Sequence, residues 1–185
     1  MLCVPMPNQL SKVIHLPLTG KLVRLQKFTD ENLADEYISW LNDFDVVRYS
    51  NQRFRQHNQE TCRAYFNSFE NSDHIFVAIY QDTKFIGTMT AYISRIHQTA
   101  DMGIMIGDRQ YWGKGVGKDA WTTLMQGLFE QSQLRKITGG TLRCNKAMVN
   151  IMVSSGMQPD GIRIAQELVD GNPVDILHFA KFSHA

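Results

Sequence analysis

Three glycines in five residues, Gly113, Gly115 and Gly117, stand between a strand-like run and the longest helix-like run of the chain. Asp101, Gly103 and Met105 alternate with Met102, Ile104 and Ile106, the period-two pattern of a half-buried strand. From Val116 onward the apolar residues Val116, Ala120, Trp121, Leu124, Met125, Leu128 and Phe129 follow the 3.6-residue period of a helix with one buried face. The chain must therefore pass from strand to helix through a glycine-rich turn. Glycine lets the main chain approach a ligand closely, and the unpaired N–H groups and dipole at a helix start favour an anion such as a pyrophosphate. The plainer alternative is a tight strand-to-helix connection, which one glycine would supply. A P-loop needs G-x-x-x-x-G-K-[ST], but only three residues separate Gly113 from Gly117 and Lys118 is followed by Asp119. A dinucleotide site needs G-x-G-x-x-G within a βαβ unit, whereas this loop reads G-x-G-x-G after several antiparallel-looking strands. Both of those nucleotide folds are excluded.

Length bounds the rest of the molecule: 185 residues suit one hydrophobic core. With 43% hydrophobic and 20% charged residues the chain should fold without a disordered tail. Its 19 basic and 18 acidic residues leave a net charge of +1, so no field of one sign would draw in nucleic acid or an anionic membrane. No apolar run approaches the roughly 18 residues that span a bilayer, and the N-terminus lacks a secretory pattern, so the expected location is the cytoplasm. Cys3, Cys62 and Cys144 lie far apart without a C-x-x-C pair and read as reduced thiols, Cys144 as a packing residue. The six histidines, among them His57 and His178, show no metal-ligand spacing, so no metal site is expected.

Periodicity and turn residues order the chain as one α+β (mixed α/β) unit, a mostly antiparallel sheet flanked by about four helices, without repeats or linkers. Residues 1–20 read as an N-terminal extension and 21–185 as a single domain. Strands are expected over residues 22–28, 74–80, 85–96, 101–106 and 136–142, with a closing hairpin of 162–168 and 175–182 around Asp170-Gly171-Asn172. Besides the helix after Val116, helices are expected after the Thr29-Asp30 cap, over 59–69, and over 146–155 before Gly156.

The loop Gln110-Tyr-Trp-Gly113-Lys-Gly115 matches the pattern [Q/R]-x-x-G-x-[G/A], and Asn145 is followed eleven residues later by Gly156. On these residues the chain resembles the GCN5-related N-acetyltransferases over about residues 22–182. Trp40-Leu-Asn-Asp43 and Tyr111-Trp-Gly-Lys-Gly115 are similar to the RimJ/RimL-type branch. The resemblance implies a splayed strand pair that takes acetyl-coenzyme A as co-substrate. It implies main-chain contacts to pantetheine from Ile104, Met105 and Ile106, and pyrophosphate contacts from Gln110, Tyr111, Trp112, Gly113, Lys114, Gly115, Val116, Gly117 and Lys118. Asn145 would contact the coenzyme A tail. The family often places a proton-donating tyrosine four residues before the glycine that ends the last helix, and this chain has Met152 there.

Acetyl transfer to an amine needs a neutral nucleophile, a polarised thioester carbonyl and a proton for the leaving thiolate. A main-chain N–H at Met105 or Ile106 is the expected polarising group. Asp101 is the candidate base, because alternation turns it away from the Met102/Ile104/Ile106 face; a plain surface carboxylate is its bland alternative. Ser154 and Ser155 are candidate acids beside a water route. Residues 49–57 fall where the family walls its acceptor pocket, with Gln52 and Arg53 as substrate-binding candidates, Arg53 toward an anionic group. Glu167 and Asp175 are candidates toward a cationic or hydroxylated acceptor. The expected reaction is direct transfer to a primary amine of a small molecule, with a nucleotide-linked amino sugar preferred from Tyr37-Ile-Ser-Trp-Leu-Asn-Asp43 and Tyr49-Ser-Asn-Gln-Arg-Phe54, which resemble amino-sugar-modifying relatives. A protein N-terminal α-amine is the second expectation and a non-catalytic acyl-coenzyme A binding module the third. The protein is expected to act as a monomer or homodimer.

Overall fold

The computed structural model describes residues 14–183. Eight strands form one sheet in the order β1-β2-β3-β4-β5-β6-β8-β7: β1 (Leu18–Thr19), β2 (Arg24–Lys27), β3 (Ile75–Gln81), β4 (Lys84–Ser94), β5 (Thr99–Ile106), β6 (Lys136–Leu142), β7 (Gln158–Val169) and β8 (Asn172–Phe182). All neighbours pair antiparallel except β5 and β6, which are parallel. The helices are α1 (Asp35–Asn42), α2 (Phe44–Val47), α3 (Gln59–Asn67), α4 (Val116–Gln131) and α5 (Lys146–Ser154). Cys3 and His184 lie outside the described residues.

Two apolar clusters place the helices on opposite faces. Trp121, Leu124 and Leu128 of α4 and Met152 of α5 pack with Met102, Ile137 and Phe179 on one face. Tyr37, Trp40 and Leu41 of α1 and Cys62 of α3 pack with Phe28, Phe76, Ala78 and Met105 on the other. The first expected helix starts later than its cap signal. Thr29 opens a one-turn 3-10 segment, Asp30–Asn32, in which the Asn32 side chain accepts the Thr29 N–H at 3.0 Å, and the α-helix begins only after Ala34. The strand expected from residue 22 likewise begins at Arg24, because the amides before it turn toward α4.

Those amides fasten the start of α4 to the sheet. The Asp119 carboxylate, in the first turn of α4, accepts N–H bonds from Lys21 (3.1 Å), Leu22 (2.7 Å) and Val23 (3.1 Å). Gly20 lies so close that a Cβ there would collide with Asp119 and Thr123. Asp119→Ala should lower the melting temperature by several degrees, since it leaves the part-buried Val23 N–H unpaired at about 1–3 kcal/mol. An unchanged thermal scan would dismiss this latch.

Candidate functional site

The parallel pair at the centre of the sheet is joined over a short length. Register runs from Thr99↔Lys136 to Asp101↔Thr138 and stops, so residues 102–106 of β5 face an opening where β6 has diverged. Strand alternation decides which backbone groups line it. The Gly107 N–H bonds to Ile86 O in β4 at 2.9 Å, and the Ala100 carbonyl, on the β6 side, accepts the Thr138 hydroxyl at 3.2 Å. Counting between these points, the amides of Ile104 and Ile106 turn toward the opening. That of Met105 turns toward β4, where its carbonyl crowds Gly87. Of the two polarising amides expected from sequence, the geometry leaves Ile106, with Ile104 beside it. The Ile106 carbonyl accepts the Trp112 indole N–H at 2.8 Å, which lays that ring across the end of the strand.

Above the opening the glycine-rich turn takes the form its residues dictate. Asp108 caps a short 3-10 turn, Arg109–Tyr111, and the chain then needs left-handed backbone at Gly113 (φ 72°) and Gly115 (φ 83°) to enter α4. A side chain at Gly113 would meet nothing within 4 Å, so the main chain there faces open space. Gly117 is explained by packing: a Cβ there would sit 3.2 Å from Ile151 and 3.6 Å from Ile106, so its absence lets α4 settle on β5 and α5. The first intrahelical bond runs from Asp119 N–H to Gly115 O, so the amides of Val116, Gly117 and Lys118 have no helical partner and point out of the turn. Lys114 and Lys118 are exposed beside them, Lys114 over the Tyr111 ring. Gln110 is exposed, and its own N–H bonds to the Asp108 carboxylate at 3.0 Å. Arg109 bridges to Asp45 at 2.8 Å and to Asp43 at 3.6 Å, and Trp40 covers Gly107, so α1 and α2 hold the turn from behind. An opening lined by unpaired strand amides beneath a helix N-terminus with exposed main chain fits a pantetheine arm ending in a pyrophosphate.

Asn145 caps α5. Its carbonyl accepts the Met148 N–H at 3.3 Å and its amide donates to Thr141 at 3.1 Å, so it shapes the corner where β6 leaves the opening. Met152 is buried under Trp121 and Gly139 as core. The two candidate acids beside it are committed as donors, Ser155 to Met152 O at 2.8 Å and Ser154 to Ile151 O at 3.4 Å.

On the α1–α3 face of the opening stand Asp101, exposed, and Thr138, whose hydroxyl donates to Asp101 at 2.6 Å. Tyr92 is the cross-strand neighbour of Asp101, and its hydroxyl meets that of Tyr65 at 2.8 Å. Burial pushes the Tyr65 phenol up, with the Tyr92 hydrogen bond adding to it. The wall over this face is the segment 48–57. The Arg53 side chain is 6% exposed, ion-paired with Glu167 at 3.2 Å and bonded to Ser50 O at 2.8 Å. Expected from sequence to meet an anionic group and a cationic or hydroxylated acceptor respectively, Arg53 and Glu167 pair with each other here and tie the wall to β7. Arg48 and Asp170 add a second tie at 3.7 Å. Asp175 is spent in the same way. The Ala165 N–H, then Arg143, hold its carboxyl below the usual range and fix the β7–β8 hairpin to the corner after β6.

Within the wall, Gln52 Oε1 and His57 Nε2 are buried without hydrogen-bond partners. Burial lowers the His57 imidazole below its ordinary 6.5, against the opposing pull of the Gln52 carbonyl, and nearby Arg55 lowers it further. Sequence reading singled out neither the Tyr65–Tyr92 pair, Thr138 nor His178. All lie on ordinary amphipathic elements, and only strand register brings Tyr92, Thr138 and His178 to one face. Among the described residues no cluster of three or more His, Cys, Asp or Glu could hold a metal ion, and no helix is long and apolar enough to cross a membrane.

Comparison with known proteins gives the site its context. Residues 23–158 match the model of the acetyltransferase (GNAT) domain. No curated protein sequence matches the chain. Among solved structures, the RimL ribosomal-protein alpha-N-acetyltransferase in complex with coenzyme A superposes with a TM-score of 0.79 at 15% identity, over 90% of this chain and 96% of that one. Spermidine N-acetyltransferase from Vibrio cholerae, in complex with coenzyme A and spermine, gives 0.78 at 16% identity, over 88% and 96%. RimJ from Mycobacterium smegmatis, in complex with a coenzyme A disulfide, gives 0.75 at 17% identity, over 90% and 86%. These likenesses show a shared fold, and the domain match, which spans the divergent strands, the glycine turn and α4, shows that the chain belongs to the GNAT acetyltransferase family.

Proposed function

We propose that this acetyltransferase moves the acetyl group of acetyl-coenzyme A directly to a primary amine of a small molecule, without an acyl-enzyme. The observation that carries the reading is the parting of β5 from β6 immediately after Asp101 and Thr138, beneath the open glycine turn. Acetyl-coenzyme A supplies the activated thioester. The chain's own part is positional and electrostatic. Ile104 and Ile106 offer main-chain N–H groups to the pantetheine arm and to the carbonyl oxygen, where negative charge develops. Amides from residues 113–118, with Lys114 and Lys118 alongside, receive the pyrophosphate. Asp101 takes the proton of the incoming ammonium, directly or through one water, while the Thr138 hydroxyl holds its carboxylate.

A small acceptor is preferred because the Arg53–Glu167 pair links the wall to the β7 hairpin across the face that a polypeptide would have to cross. With Arg53 neutralised, the wall favours acceptors rich in hydrogen-bond donors over a nucleotide phosphate, so an amino sugar suits it through its hydroxyls rather than through a linked nucleotide. Coenzyme A at about a hundred times its Kd should raise the melting temperature by about 5–10 °C. Acetyl-coenzyme A should then release free thiol with members of a panel of amino sugars and diamines, and more slowly with peptides bearing a free α-amine. A flat melting curve would overturn the co-substrate site. Binding without thiol release for any amine would mark a binding module instead, and preferred turnover of peptides would mark an N-terminal acetyltransferase.

A further inference from the structure

We propose that His178 gives a proton to the sulfur that departs when the acetyl group is transferred, the role for which position 152 holds only a buried methionine. The proposal rests on the acetyl-coenzyme A site read above.

His178, on β8, pairs with Gly140 of β6 on one side and Gly161 of β7 on the other. Neither cross-strand neighbour carries a side chain, so the imidazole is free to lie down along the sheet. It lies over Gly140, where a Cβ would come within 3.1 Å of Nδ1 and 3.2 Å of Cε1. Gly140 is two residues beyond Thr138, the last β6 residue paired with β5, so the ring overhangs the strand that borders the opening. Register also fixes the face: Asp101 pairs with Thr138, Thr138 with Ala180, and His178 shares a face with Ala180 by alternation. Asp101 and His178 thus stand on one face of the sheet on opposite sides of the mouth, one toward the amine and one over the strand that flanks the sulfur.

His178 Nε2 is buried without a hydrogen-bond partner. A buried ring nitrogen left unpaired is costly, and a hydrogen-bonding atom brought beside it would relieve that cost. The other candidate donors are committed, because Ser154 and Ser155 bond helix carbonyls and Met152 has no proton to give. Imidazole both carries and releases a proton near neutral pH. The charged groups on its face are Asp101 on β5, the Lys136–Asp160 pair between β6 and β7, Arg163 on β7, and the Arg53–Glu167 pair in the wall. In the step itself the neutral amine nitrogen bonds to the carbonyl carbon and releases its now surplus proton to solvent, the carbon–sulfur bond breaks with its electron pair going to sulfur, and the Nε2 proton moves to that sulfur. The imidazole recovers a proton from solvent.

The test uses the full chain with ring-labelled histidine, and ligands that differ only at sulfur. Coenzyme A and desulfo-coenzyme A should raise the melting temperature alike, while only coenzyme A moves the His178 ring resonance, identified as the one missing from His178→Gln. In steady state, His178→Gln should turn over about 10²-fold more slowly at the acidic end of the working range, with KM for acetyl-coenzyme A unchanged. The sign follows from the role. An acid helps only while it holds its proton, so the deficit should narrow as pH rises. His178→Asn provides a second variant should the first fail to fold. A deficit that stays flat or widens with pH, or a ring resonance that answers both ligands equally, overturns the assignment while the binding site stands. If neither ligand moves the melting curve, the assignment falls together with that site.

Discussion

A folded Gly115→Val protein should show no rise in melting temperature with coenzyme A. Gly115 is the last residue before α4 and adopts φ 83°, left-handed backbone that a β-branched residue resists by about 1–2 kcal/mol or more. Space is not the obstacle, since a Cβ would meet only Leu22 Cδ1 at the ordinary distance of 3.6 Å. The strain is relieved by turning the peptide planes of the loop, and those planes carry the amides that would face the pyrophosphate. The core beneath is untouched, because Val116, Ala120 and Trp121 stay buried on the opposite side of the helix. Circular dichroism would show the fold and calorimetry the loss of affinity. Wild-type affinity in a folded Gly115→Val would remove the loop from the site.

Asp101→Asn should lower the transfer rate by about 10²–10⁴-fold, the usual worth of a positioned acid–base group. Asparagine keeps the shape, and its Oδ1 can still accept the Thr138 hydroxyl, so the change removes basicity more than geometry. The coenzyme A melting shift should be preserved. The deficit should shrink at high pH, where the amine arrives already neutral and needs no base. A folded variant within a few-fold of wild type at every pH would show that solvent deprotonates the acceptor, leaving the enzyme to orient it and polarise the carbonyl.

Strands such as β5 and β6 were readable from their alternation, while β3 was readable as one short apolar run buried on both faces. Ile137 and Phe179 are buried where alternation puts them, and the Asp170-Gly171-Asn172 turn closes the last hairpin with Asp170 and Gly171 both at positive φ. Ends were less readable, since they depend on distant partners: the start of β2 is set by Asp119, 96–98 residues away, and the first α-helix yields its expected opening turn to a 3-10 segment. Arg53 and Glu167 show the same limit at the site. Each looks like a ligand-binding charge in sequence, and they are separated by 114 residues, so nothing local reveals that they neutralise each other.

What the sequence determined by itself was therefore whatever depends on neighbours within a turn or two: a strand delivered into a glycine turn at the head of an amphipathic helix, with conformations at positions 113 and 115 that favour glycine. Tertiary structure alone decided which strand amides face the opening, that β6 diverges after Thr138, and that His178 lies over Gly140 on the same face as Asp101. The physical reason is that backbone direction and facing are properties of a paired register. Register is set by long-range hydrogen bonding and core packing between strands whose own residue patterns permit more than one partner.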